Sequence, residues 1–329
     1  MLVATYVKTL PDVMRHMLTR MAPDVVDRVD FVGIHQMALR LLSDRGATVR
    51  LDSAKARAAF ERAWQKVGQV VLMAEAELRR RPLDEPYGAV IVDEAQDLSC
   101  AMARLLYSLV GDAPDGLTLI GDGQQSIYPG GYTLLEAGIS LAGRGVVLDI
   151  NYRNTAQILA VASRLVVGDE FADIEGAPAR GDVPATVPRS GVEPVIVQCA
   201  GWSERDRLLV DRVREVTREV GTGPGDVGVL CLTTRGVSAV SAALHAAGLP
   251  VVALADYDGV PVDAVKVGTV KRAKGLEFKQ VLMADVPLEA IGGGAPPEDG
   301  AERERWELRR RELYVGMTRA CDGLWVGAV

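Results

Sequence analysis

The chain has 329 residues, 48% hydrophobic and 25% charged, with a net charge of −7 and only 5% aromatics. That content suffices for two packed, aliphatic lobes and excludes a disordered chain; no apolar run approaches the roughly 20 residues a membrane span needs, and the net charge does not advertise nucleic acid. Cys100, Cys199, Cys231 and Cys321 form no CxxC pair, which excludes a zinc or iron–sulfur site and points to the reduced thiols of a cytoplasmic protein.

Taken in chain order, the pattern predicts strands at 2–6, 29–33, 88–92, 117–121, 146–149, 195–199, 227–231, 251–254, 265–270, 280–284 and 324–328. Helices are predicted at 10–21, 35–44, 53–80, 99–110, 155–167, 203–220, 236–247 and 301–320, with Ser203 and Asp206 as a capping box on the sixth. This β–α alternation predicts an α/β fold with parallel sheets. The start, MLVATYVKTLPD, does not read as a signal peptide. Segment 35–81 carries ten Lys/Arg against five acids; it fits a surface that grips a nucleic-acid backbone and equally a solvated helix pair. Segments 168–194 and 287–300 read as loops.

The chemistry-bearing runs begin with VIVDEAQD, Val90 to Asp97. An apolar strand that ends in adjacent carboxylates places them at the carboxyl edge of a sheet, where open α/β folds bind ligands. Asp93 suits a magnesium ion, and Glu94 a water that attacks a phosphate. Alone, the run equally fits a strand end with solvated acids and Ser99 capping the next helix. In LTLIGDGQQSIY, Leu117 to Tyr128, another strand runs into an acid and two amides; Gln124 or Gln125 can bond a terminal phosphate without adding charge. In NYRNT, Asn151 to Thr155, Thr155 reads as an N-cap, so Arg153 sits on a loop just before a helix. VGTVKRAKGLEF (Val267 to Phe278) and RRRELYVGMTRA (Arg309 to Ala320) supply further basic turns, the last with Arg319. Each arginine alone fits an ordinary surface residue as well as one that reaches a transferred phosphoryl group.

Together, in this order and spacing, the five runs resemble the motifs of the UvrD/Rep family of superfamily-one helicases. Upstream, LVATYVKT (Leu2 to Thr9) and DFVGIHQMALRLL (Asp30 to Leu42) resemble the family's motif Ia and the motif after it, so the likeness runs from residue 2 to about residue 327. The resemblance implies two RecA-like, P-loop-NTPase-type lobes, 1–150 and 151–329, with a small helical insertion at about 43–82. It implies ATP and Mg2+ as cofactors, with Asp93 as magnesium carboxylate, Glu94 as catalytic base, Gln125 as the amide on the γ-phosphate, and Arg153 and Arg319 as arginines that close on it. Gln96, Tyr128, Gly275 and Glu277 match nucleotide-side positions; Tyr6, His35 and Lys271 match nucleic-acid contacts. The implied activity is that of an ATP-dependent DNA helicase or translocase acting 3′ to 5′ on single-stranded DNA or a 3′-tailed duplex.

Three features depart from the family pattern. PGGYT (Pro129 to Thr133) replaces the usual aromatic-Arg-Gly, which leaves Tyr132 as a candidate for the stacking aromatic. Thr269-Val270-Lys271 replaces Thr-x-His. No GxxxxGK[ST] occurs anywhere in the chain, and GTGPGDVG (Gly221 to Gly228) reads as a turn. A P-loop supplies an N–H nest, a lysine and a hydroxyl to the phosphates. In the family it precedes motif Ia, whereas here Met1 adjoins the motif Ia strand. The expectation is a first lobe incomplete at its N-terminus and a chain inactive by itself. The rival expectation is a non-catalytic DNA-binding or scaffold protein derived from such a helicase.

Overall fold

In a computed structural model, residues 1–45, 60–111, 115–127, 133–140, 143–166, 170–172, 178–180, 186–292 and 296–329 are described. The chain divides into two compact units, Met1–Gly145 with Ala172–Pro178, and Val146–Phe171 with Ala179–Val329.

The first unit is built on a parallel sheet of β1 (Leu2–Thr5), β2 (Asp30–Gly33), β3 (Val90–Asp93) and β4 (Leu117–Leu119), in the order β2-β1-β3-β4. Leu2 lies beside both Asp30 and Val90, and Val90 beside Leu117, so Thr5 and Asp93 end their strands side by side. Helix Ile34–Asp44 buries Ile34, Met37, Ala38, Leu41 and Leu42, the i, i+3, i+4, i+7, i+8 stripe that turns one face of a helix to a core. Helix Phe60–Arg80 adds Val70, Val71, Ala74 and Leu78 to the same core. The helix thus packs into the core of the first unit; the start of the expected insertion helix, 53–59, lies outside the described residues. Ser99 caps helix Cys100–Ser108 by accepting from Met102 N.

The second unit is a six-stranded parallel sheet, in the order β7-β12-β11-β8-β10-β9. Its strands are β7 (Val195–Gln198), β8 (Val227–Cys231), β9 (Val251–Ala253), β10 (Val265–Thr269), β11 (Phe278–Val286) and β12 (Ala320–Ala328). β8 is buried along its whole length, and β11 and β12 nearly so. Near-continuous apolar runs of this kind belong to parallel strands covered on both faces. Glu170–Ala172 and Pro178–Arg180, inside the expected loop, form a separate two-stranded sheet. Leu288–Ile291, in the other expected loop, is a short helix. Among the described residues no helix is long and apolar enough to cross a membrane, and the four cysteines are free.

Two further sequence expectations fail. The strand at 146–149 does not form: Val146, Val147 and Leu148 are 84%, 89% and 88% exposed, and the one bridge nearby joins Ile150 to Thr186. β-branched residues favour strands by fitting a pleated, half-buried surface, and no partner strand among the described residues supplies one. The capping box of Ser203 and Asp206 is also absent. The helix starts at Trp202 with Gly201 as its N-cap; Glu204 accepts from Ala200 N at 2.7 Å, and Asp206 pairs with Arg205.

At the carboxyl edge of the second sheet, Asp285 accepts from Leu232 N, Thr233 N and Thr233 Oγ1. Burial pushes its carboxyl up, against the pull of those hydrogen bonds. A Cβ on Gly236 would sit 2.3 Å from Asp285 Oδ2, so only glycine lets the helix approach this closely. Gly236→Ala should lower the stability of the chain by about 1–3 kcal/mol, read as a reduced urea midpoint at unchanged slope. A midpoint equal to the wild type would contradict the contact.

Candidate functional site

β3 ends at Asp93, and the backbone then turns through Glu94 at φ 56°, ψ 42°. A left-handed non-glycine residue costs roughly 1–2 kcal/mol and is worth reading as a sign of function when neighbours enforce it. Here Glu94 N donates to Asp93 Oδ1 at 3.0 Å, and Ala95 N donates to Ile120 O at 2.9 Å, just beyond β4. The turn is thus set by the pairing of two strands.

A continuous hydrogen-bonded chain follows. Gln96 Nε2 donates to Glu94 Oε2 at 2.6 Å, while its Oε1 accepts from Asp122 N at 3.1 Å. Asp122 accepts from Gln124 N at 3.0 Å and from Gln125 Nε2 at 2.8 Å. Asp93, Glu94, Gln96 and Gln125 are therefore brought together at one sheet edge, and Asp122 is the joint between the two motifs. Sequence reading noted that acid after the strand but gave it no role; its signal was an Asx cap two residues before Gln124. A Cβ on Gly121 would lie 2.7 Å from Gln96 Oε1, so the glycine keeps the strands' ends close. Among the described residues no group of three or more His, Cys, Asp or Glu side chains is set to hold a metal. Asp93 and Glu94 fit magnesium only in its water-rich mode, with one or two carboxylates and substrate phosphates. The triphosphate anchor has no counterpart, since no GxxxxGK[ST] lies in the sequence.

The second unit gathers a different set. Asn151 Oδ1 accepts from Arg153 N and Asn154 N, and Thr155 caps helix Ala156–Ser163, so Arg153 stands on a loop as expected. Arg153 Nε donates to Glu277, with both side chains partly exposed. Glu277 directly precedes β11 and Arg319 directly precedes β12; Phe278 N donates to Arg319 O at 3.0 Å. These groups lie at the amino edge of their sheet. Arg319 is only 1% exposed and its Nε donates to Val315 O at 3.0 Å, so its guanidinium is turned onto its own helix. Asn154, missed by sequence reading, is buried and donates to Thr318 O and Ala320 O at 3.0 and 2.7 Å, on either side of Arg319. Gly275 takes φ 79° in the turn before Glu277, a conformation open to glycine. Lys271 lies on Val270–Ala273, capped by Thr269, and pairs with Glu312 at 2.8 Å.

Tyr6 and His35 meet in the first unit with ring centroids 5.8 Å apart, edge to face. Tyr6 is 8% exposed and belongs to the hydrophobic core, so its ring packs rather than standing open as a platform. Burial lowers the His35 pKa to about 4, which leaves the imidazole neutral at neutral pH. Tyr128 and Tyr132 lie outside the described residues.

Two segments of the chain match known protein families. Residues 69–129, which hold Asp93 to Gln125, match the UvrD/REP helicase N-terminal domain; residues 253–329, which hold Lys271 to Arg319, match the UvrD-like helicase C-terminal domain. Arg153, Tyr6 and His35 fall outside both matches. Among solved structures, the chain is similar to the C-terminal domain of a possible DNA helicase from Lactobacillus plantarum WCFS1, at 22% identity and a TM-score of 0.39, over 54% of this chain and 88% of that one. No curated protein matches. The two matched segments lie in the same order as those domains, one on the acids and amides of the first unit and one on the arginine-bearing edge of the second, and together they support a UvrD/Rep-type helicase.

The His35 environment has a measurable consequence. An unfolded chain takes up the proton near 6.5 and the folded chain only near 4. Between those values the unfolded state binds more protons, so stability falls as pH drops through this window, by roughly 3 kcal/mol at most. Urea midpoints at pH 7 and pH 5 should differ more for the wild type than for His35→Gln. Equal differences would remove His35 from the account.

Proposed function

We propose that the chain serves an ATP-dependent DNA helicase or translocase that moves 3′ to 5′ on single-stranded DNA or a 3′-tailed duplex in the cytoplasm. The observation that carries this reading is the bonded run Glu94–Gln96–Asp122–Gln125, which couples an acid at one strand end to an amide at the next. In this reading Asp93 holds magnesium's water shell, Glu94 takes the proton of the attacking water, and Gln125 bonds the terminal phosphate. Magnesium, when bound, supplies charge to the departing phosphate. Arg153 and Arg319 are the arginines offered to that charge, and Gln96, Tyr128, Gly275 and Glu277 are nucleotide-side residues. Lys271 and a neutral His35 are nucleic-acid contacts, with Tyr6 fixing the His35 ring. Release of Arg319 from Val315 O is a requirement of its role.

A second reading, a non-catalytic DNA-binding or scaffold chain, is favoured by one observation: these 329 residues contain no P-loop. Carboxylates and arginines stabilise transition-state charge but do not anchor a triphosphate. The 329-residue chain alone should therefore show negligible ATPase activity, with or without single-stranded DNA. Fusion to a P-loop-bearing segment of the family, placed ahead of Met1, should bring DNA-stimulated turnover. Glu94→Gln in the fusion should then cut turnover about 10²–10⁴-fold and leave ATP binding intact. Hydrolysis by the chain alone that Glu94→Gln removes would overturn the need for a supplied loop. A fusion that binds ATP and DNA without turnover would favour the scaffold reading.

A further inference from the structure

Segment 186–191 was expected to be a plain loop, yet it is stitched to the Arg153 loop along its length. Asn151 N donates to Thr186 O at 3.0 Å, Ala156 N to Arg189 O at 2.8 Å, Gly191 N to Gln157 Oε1 at 2.9 Å, and Gln157 Nε2 to Ser190 Oγ at 3.1 Å. A Cβ on Gly191 would lie 2.6 Å from Thr155 Cγ2, so the backbone at Gly191 packs directly against the Thr155 side chain. At the centre of this seam stands Arg189. Its Nη1 donates to Arg153 O and, at 3.0 Å, to Cys321 O, and its Nη2 pairs with Asp322. One guanidinium thus joins the carbonyl of Arg153 to the start of β12, two and three residues beyond Arg319.

We propose that Arg189 is a positioning residue that ties the Arg153 loop and the start of β12, just after Arg319, into one rigid element, so that the two arginines are presented together. The inference rests on the reading of Arg153 and Arg319 as phosphate-facing groups. Its physical basis is the arginine fork: a planar cation with donors in fixed directions satisfies two carbonyls and a carboxylate at once, which a lysine's single ammonium cannot reproduce. Asn154 makes a parallel tie from the same loop to Thr318 O and Ala320 O. Asn154 thus grips the backbone on either side of Arg319, and Arg189 grips the next two residues of the strand. The arginine that braces and the arginines that act are separate residues, so the brace stays in place while Arg153 exchanges Glu277 for another anion.

The test uses the 329-residue chain and needs no nucleotide. Amide hydrogen exchange is followed at residues 151–155 and 319–322, with helix Thr234–Ala246 as internal reference, together with the Arg153 Nε–H signal in a ¹⁵N spectrum. Arg189→Met should speed exchange in both segments about tenfold, leave the reference helix unchanged and weaken the Arg153 signal. Arg189→Lys should recover only part of the protection. Asp322→Asn, which keeps both carbonyl bonds, should leave 151–155 at the wild-type rate and covers the case in which Arg189→Met does not fold. Unchanged exchange in either segment of Arg189→Met, an equal rise in the reference helix, full rescue by lysine, or loss of protection at 151–155 in Asp322→Asn would each overturn the proposal. An absence of turnover in the P-loop fusion would count against the helicase reading alone and would leave the exchange result standing.

Discussion

The parallel pairing of β3 with β4 is the constraint on which the first unit's chemistry depends. It fixes Ile120 O where Ala95 N can reach it, and that bond holds Glu94 in a left-handed conformation that its side chain would not choose. The same pairing brings Asp122 N onto Gln96 Oε1. Two motifs some 26 positions apart thereby become one hydrogen-bonded structure, in which each polar group's orientation is set by the next. A half-buried polar chain of this kind gains rigidity as each member is satisfied by the next. The acid and the amide are placed by backbone geometry first and by side-chain chemistry second.

The second unit positions its cations by another route. Its sheet is longer and drier, and the relevant residues sit where strands begin, not where they end. A residue that precedes a strand has a backbone fixed on one side only. The remaining freedom is removed by side chains that bond main-chain carbonyls: Asn154 to Thr318 and Ala320, and Arg189 to Arg153 and Cys321. Bonds to carbonyls hold position without consuming the guanidinium of Arg153, which keeps its exchangeable pair with Glu277. The contrast follows from charge. Carboxylates and amides can be locked into a network and still act through their lone pairs, whereas a cation proposed to meet a phosphate has to be held by its backbone.

The sequence makes the α/β alternation legible, along with the two strand-plus-acid motifs and the N-caps at Ser99 and Thr155, because each is a local pattern within about ten residues. Other features depend on partners distant in sequence. Val146 to Asp149 has strand-forming residues and no strand, since pairing is a tertiary event. Asn154 lies in a motif that was read correctly around Arg153, yet its targets are more than 160 residues away. Arg319 and Tyr6 were legible as motif positions, but their burial is decided by the helix and core that surround them. Asp122 could have been assigned its role, because an Asx residue two before Gln124 is a known cap for a short helix.

The arrangement of the first unit also separates two tasks that a nucleotide site must perform. Holding a triphosphate requires backbone N–H groups and a lysine in a nest, and no such run occurs in these 329 residues. Orienting a water and sensing a terminal phosphate require an acid and an amide in fixed relation, and that relation is complete here through Gln96 and Asp122. The bonds that create it run between β3, β4 and the turns that follow them, all within residues 90–125. In the proposed reading the hydrolytic geometry is therefore a property of two adjacent strand ends, to which a phosphate-binding loop would add substrate without having to build it.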